Sequence, residues 1–185
     1  MNKTITMSLL LAFFWIFNGN AQNHYLVELE NRSPDVKSMV MAFEGTPSIP
    51  FLANDTNGEE QAVFNMTGQT VLLWFWNNDC PKCHDQIEDF NRLAKKYPDD
   101  LKVVSFSDNT KEEIQSLTAT RTVDFPIIPN SKTLSEGPYG GDLGYPKVFV
   151  LDKNGMIKWA IPAIEMQNNF DTFNFFETLH VSLGK

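Results

Sequence analysis

The sequence predicts an α/β domain built on a central mixed sheet flanked by helices. Three observations carry this reading. Val71-Leu72-Leu73-Trp74-Phe75-Trp76 is continuously apolar, as suits a strand covered on both faces. It runs into a segment with Ile87, Phe90, Leu93 and Tyr97 three or four residues apart, the spacing of one helix face. Further on, Pro146 to Leu151 and Met156 to Ile161 flank Asp152-Lys153-Asn154-Gly155, a turn that returns a strand antiparallel to its neighbour.

Taken in order, Met1-Asn2-Lys3 carries one positive charge, followed by the mostly apolar run Met7 to Phe17 and then Asn18-Gly19-Asn20-Ala21. The run is short for a bilayer span, and the small residues Gly19 and Ala21 suit processing, so 1–21 reads as a signal peptide cleaved after Ala21. Tyr25, Val27 and Leu29 alternate, and with Lys37 to Phe43 they suggest a β-hairpin in an N-terminal extension over 22–48. The main domain is expected over 49–185. In it, Phe51 to Ala53 and Gln61 to Asn65 flank the turn signal Asn57-Gly58. The Asp55/Asn57/Glu59 spacing hints at calcium, but the run lacks the glutamate of an EF-hand loop and a plain hairpin is preferred.

A helix is expected from about Cys80 to Lys96, stopped by Pro98, with Glu88 and Arg92 as an i,i+4 pair. Leu101 to Phe106 reads as a strand, Thr110 to Thr120 as a weaker helix, and Phe125 to Pro129 as extended chain. Asn130 to Tyr145, rich in glycine and polar residues, reads as a surface loop. Phe170, Phe173, Phe176 and Leu179 recur at helical spacing and read as the buried stripe of a last helix.

Composition narrows the function. The chain has 15 basic and 23 acidic residues, a net charge of −8, and Lys3 is the one charged residue of the leader, so 14 against 23 leaves −9 after cleavage. That balance argues against a nucleic-acid surface. The two cysteines, Cys80 and Cys83, stand three apart where the apolar strand ends and the helix begins. At that spacing they face the same way and are close enough to exchange a disulfide. As a staple the pair would stabilise the fold by only about 2 kcal/mol, against about 4.7 kcal/mol for a hundred-residue loop. Redox chemistry is the better use, with metal binding the other plausible one. Export would put the thiols in an oxidising compartment.

A strand ending in Phe75-Trp76, then Cys80-Pro81-Lys82-Cys83 opening a helix, then Tyr145-Pro146 ahead of a strand and Asp152-x-Asn154-Gly155, resembles the thioredoxin fold. The likeness is to bacterial envelope thiol-disulfide oxidoreductases of the TlpA/ResA type and covers Ile49 to the C-terminus. It implies a thioredoxin-like fold in which Cys80 is the exposed nucleophile and Cys83 the buried resolving thiol. It also implies that Pro146 is a cis-proline beside the disulfide, with the backbone of Tyr145 and the ring of Trp76 meeting substrate. A helix N-terminus favours a thiolate, and Lys82 and a protonated His84 would add positive potential while Asp79 opposes it. Three positions depart from the pattern: Asp79 stands where a bulky residue is usual, Trp74 replaces the buried aspartate of thioredoxin, and Gln86 replaces a functional glutamate. Cys83 therefore lacks its usual proton acceptor.

The resemblance implies periplasmic action as a reductase of envelope protein disulfides, with a protein disulfide substrate and a membrane electron donor as partners. No cofactor beyond the Cys80–Cys83 disulfide is expected, and no metal. A thioredoxin-like copper chaperone is the alternative from another class, since soft thiolates suit Cu(I), but its cysteine spacing differs and His180 falls on the last helix. A catalytically diverged binding domain is a further alternative. A peroxidase is disfavoured because Leu73 and Asn77 occupy the positions where peroxiredoxins carry proline and threonine.

Overall fold

The computed structural model describes residues 24–166 and 170–184. The described residues fall into two compact units that divide between Ser33 and Pro34. The expected signal peptide and its cleavage at Ala21 lie outside the described residues.

In the first unit, residues 24–30 are helical (α1). The expected N-terminal hairpin is therefore not formed. Tyr25, Leu26 and Leu29, spaced by one and three, are its least exposed residues, whereas Val27 is 43% exposed. His24 and Glu28 form an i,i+4 pair at 3.1 Å, and Asn31 caps the end through Nδ2 on the Val27 carbonyl at 2.9 Å. Six alternating residues are too few to separate period 2 from period 3.6.

The second unit opens with a helix where the returning strand was expected, α2 at Pro34–Val40. Pro34 at the start, Asp35 in the first turn and the i,i+4 pair Val36 and Val40, both buried, supply the helix signals. Residues after α2 belong to the same unit. Gly45 donates to the Ile157 carbonyl at 2.8 Å, Ile157 donates to Thr46 at 2.8 Å, and Pro47 bridges Met156. The expected domain start at 49 thus falls inside this unit.

An antiparallel hairpin does occur, further along, between β1 (Leu52–Asn54) and β2 (Glu60–Ala62). Asp55 closes it: its carboxylate accepts the backbone N–H groups of Asn57 and Glu59 at 2.8 and 3.0 Å. The plain hairpin preferred over a calcium loop is thus the one that forms.

The main sheet has five strands in the order β5-β4-β3-β6-β7: β3 Thr70–Trp76, β4 Leu101–Ser107, β5 Ile127–Ile128, β6 Lys147–Leu151 and β7 Ile157–Ile161. β3 pairs parallel with β4 and antiparallel with β6, so the sheet is mixed. Every residue of β3 and β6 is buried, which is why Val71 to Trp76 and Val148 to Leu151 are unbroken apolar runs. One face carries Val71, Leu73, Phe75, Phe106 and Phe149 in a single apolar cluster reached by Val40 of α2. On the other, Trp74 packs on Phe90 of α3 (Pro81–Lys96), and Phe90 on Phe176 of α6 (Thr172–Leu183), at 4.8 and 5.5 Å between rings.

α4 (Lys111–Thr118) starts at a capping box in which Thr110 and Glu113 satisfy each other's backbone N–H groups. Arg92 pairs with Asp89 at 3.0 Å and lies 4.0 Å over the Phe173 ring, rather than with the expected Glu88. The segment from Asn130 to Tyr145 is more than a surface loop. It contains α5 (Lys132–Glu136) and a 3-10 turn at Gly141–Leu143, with Tyr139 and Leu143 buried. Gly140 has φ +66°, and a Cβ there would lie 2.8 Å from Phe43, so the backbone passes close under an aromatic ring. The numerous polar residues and glycines hide these two anchors in the sequence.

Candidate active site at the start of helix α3

β3 ends at Trp76 and the chain turns through 77–80, where Cys80 N–H donates to the Asn77 carbonyl at 3.3 Å. Cys80 is the N-cap of α3 and Pro81 fills the first helical position, where a missing N–H costs nothing. The expected helix start is therefore right to one residue. The Cys83 N–H is shared between the Cys80 carbonyl at 3.0 Å and Cys80 Sγ at 3.2 Å, so a donor of the first turn reaches the sulfur. Cys80 and Cys83 are joined as a disulfide with Cα atoms 5.3 Å apart. Cys80 retains 9% exposure and Cys83 none, so one sulfur can meet another molecule and the other is shielded.

Cys80 opens onto a groove of about 610 Å³ lined by Asn77, Asp79, Pro81, Lys82, Tyr145, Pro146, Ala163 and Met166. The Tyr145–Pro146 peptide is cis. Five residues singled out in the sequence, Asp79, Cys80, Lys82, Tyr145 and Pro146, thus share one groove. Trp76 does not join them. It is 1% exposed and stacks on Trp74 at 5.4 Å, because in a strand covered on both faces its ring must point into a packed layer. His84 is half-buried in the first turns of α3; its carbonyl accepts Arg121 Nη1 at 3.1 Å, and its Nε2 is enclosed without a partner among the described residues.

Gln86 is buried one turn beyond Cys83. Its amide Nε2 approaches Met166 Sδ at 3.9 Å, and its Oε1 has no hydrogen-bond partner among the described residues. A neutral amide offers no base there. Glu88 is exposed and lines no part of the groove. Ala163 and Met166 have no motif to announce them. They lie in a 3-10 turn after β7, and the pairing of Val148 with Ile161 brings that turn beside Pro146.

Behind the groove the Tyr145 hydroxyl lies 2.9 and 3.0 Å from the two Asp108 carboxylate oxygens and 2.5 Å from Ser135 Oγ. Burial raises the Asp108 carboxyl above the ordinary range, against the lowering effect of the Tyr145 hydrogen bond. Burial, with the Asp108 charge adding to it, also holds the Tyr145 phenol well above its usual value. Lys147, 1% exposed, donates from Nζ to the carbonyls of Ser135 and Gly140 at 2.7 and 2.6 Å. Burial pushes its ammonium down to about 8. Sequence reading missed this group because Lys147 looks like an ordinary strand-edge lysine.

Among the described residues no group of three or more His, Cys, Asp or Glu could hold a metal ion, and no helix is long and apolar enough to cross a membrane.

A model of the AhpC/TSA family matches residues 44–160. The chain is similar to the thioredoxin-like protein YneN of Bacillus subtilis, 27% identical over 119 residues that cover 62% of this chain and 69% of the relative. It is also similar to the thiol-disulfide oxidoreductase ResA of Bacillus cereus, 26% identical, covering 58% and 62% of the two chains. Among solved structures it resembles a thiol:disulfide interchange protein of the thioredoxin family from Chlorobium tepidum. That likeness has a TM-score of 0.60 at 18% identity and covers 76% of this chain and 98% of the other.

Proposed function

The chain belongs to the AhpC/TSA family, with thioredoxin-like relatives of the ResA type, and on that premise we propose that it is a thiol-disulfide oxidoreductase reducing disulfides of exported proteins. The observation that carries this reading is the asymmetry of the pair. Cys80 sits at a helix N-terminus on the floor of a groove beside a cis-proline, and Cys83 lies sealed beneath it.

In the reduced protein, backbone N–H groups and the helix dipole at the start of α3 favour the Cys80 thiolate. That thiolate attacks one sulfur of a target disulfide. The target S–S bond breaks, a Cys80–target bond forms, and the second target sulfur leaves as a thiolate that takes up a proton. Cys83 then loses its proton and attacks Cys80, forming the intramolecular disulfide and releasing the first target sulfur as its thiol. Two electrons pass to the target, and a dithiol donor on or outside the membrane must return them to the protein. In this reading the Tyr145 backbone pairs with an extended substrate chain in the groove, as in strand addition.

Two measurements test the reading. In Cys83→Ser, a target protein should remain attached to Cys80 and be released by dithiothreitol; a folded variant that captures none would sink the exchange mechanism. The reduction potential sets direction: a value near −120 mV, that of a strong oxidant, would replace reductase with oxidase.

A further inference from the structure

Two of the loops that line the groove, those carrying Cys80 and Tyr145, are tied to two adjacent residues just after β4. Asn109 Oδ1 accepts the backbone N–H of Asn78, inside the loop that delivers Cys80, at 2.8 Å. Asp108 holds the Tyr145 hydroxyl through both carboxylate oxygens, and its own N–H donates to the Trp76 carbonyl at 3.3 Å, where β3 ends.

The two residues are also closed into a ring. Asn130 N–H donates to the Asn109 carbonyl at 2.9 Å, and Ser131 N–H donates to the Ser107 carbonyl at 2.8 Å. Ser131 precedes α5, and α5 carries Ser135, whose hydroxyl meets the Tyr145 hydroxyl and whose carbonyl accepts Lys147 Nζ. Ser107 Oγ and Asn109 Oδ1, 3.2 Å apart, and Glu113 Oε2, 3.3 Å from Asn109 Nδ2, fix the asparagine side chain.

We propose that Asp108 and Asn109 form a clamp that sets the position of the Tyr145–Pro146 loop relative to the Cys80 loop, and so determines how a polypeptide disulfide is seated for attack. They are positioning residues, acting through Tyr145 and Asn78. The proposal rests on the disulfide-exchange reading above. A small disulfide needs only Cys80, whereas a polypeptide must also lie along Tyr145, so the clamp governs the second and spares the first.

The test uses the full chain with dithiothreitol as reductant and two probes, insulin and cystamine. Asp108→Ala and Asn109→Ala are each expected to raise KM for insulin about tenfold, since one hydrogen bond to a charged or buried partner is lost. They should leave kcat, the cystamine rate and the Cys80–Cys83 reduction potential unchanged. Because each break opens the same ring, the double variant should raise KM by much less than the product of the single effects. Unchanged KM for insulin, equal changes with both probes, or multiplying effects would overturn the clamp.

If the wild-type protein reduces neither probe, the exchange reading fails, and hydrogen exchange on the oxidised protein still decides the clamp. Either variant should then speed amide exchange in both 77–80 and 144–147. Exchange that quickens only beside the substituted residue's own contact overturns it.

Discussion

On one side of β3, Trp74 and Trp76 lie stacked next to Phe90 and Phe125; on the other, Phe75 lies among Phe106, Tyr139 and Phe149 with the Lys147 ammonium 5.6 Å over its ring. The tryptophan side is dry, and both indole N–H groups lack a partner among the described residues. The phenylalanine side buries a charge, yet that charge donates to two carbonyls and neighbours a hydroxyl–carboxylate pair. Cys83 and Gln86 are on α3, which packs on the dry side; Tyr145 and Pro146 enter from the wired one. Cys83 is thus enclosed by one layer, while Tyr145 and Pro146 reach the groove from the other.

Truncation should expose that difference most strongly on the dry side. Trp74→Ala removes a fully buried indole that packs against Phe90 and Phe125, and is expected to cost about 3–5 kcal/mol in urea unfolding. A loss below about 1 kcal/mol would mean that the layer collapses around the gap. On the wired side, Lys147→Ala leaves the Ser135 and Gly140 carbonyls without their donor, and is expected to cost about 2–3 kcal/mol. It should also raise KM for insulin, because α5 and the Tyr145 loop lose a shared tie, whereas Trp74→Ala should not.

A base added on the dry side should act on the second half of the reaction only. In Gln86→Glu a carboxylate replaces the amide one turn from Cys83, and release of the mixed disulfide is expected to quicken about tenfold, or 1.4 kcal/mol. The initial attack by Cys80 should keep its rate in stopped-flow measurements. Acceleration of both steps would show that the residue acts on the helix field instead.

The smallest expected effect is a pH slope. Lys147 titrates near 8 when folded against 10.5 in its ordinary setting, so the unfolded chain binds more protons between those values. The burial cost is therefore fully present below pH 8 and fades as pH rises. Stability should climb by about 1 kcal/mol between pH 8 and 10, after allowing for solvent screening. Above pH 10 the raised phenols of Tyr139 and Tyr145 oppose the trend, because the unfolded tyrosines ionise first. In Lys147→Met the climb over pH 8–10 should vanish from thermal melts.

The amino-acid sequence determined the strand–helix junction, the placement of the two cysteines at it and the order of the main elements. Each of these rests on local rules: an unbroken apolar run such as Val71 to Trp76, an i,i+3 face such as Phe90 and Leu93, a turn such as Asp152 to Gly155. Local rules also misled where a signal was short. Tyr25, Val27 and Leu29 suggested a strand that is a helix, and Lys37 to Phe43 suggested its partner strand although α2 runs through Val40. Only the tertiary structure decided that Trp76 turns into the core, that Met166 reaches the groove, and that Asp108, Ser135, Tyr145 and Lys147 meet. Those facts depend on pairing between strands distant in the chain, Phe75 opposite Lys147 and Val148 opposite Ile161, and no spacing along the chain encodes which side chains such a register brings together.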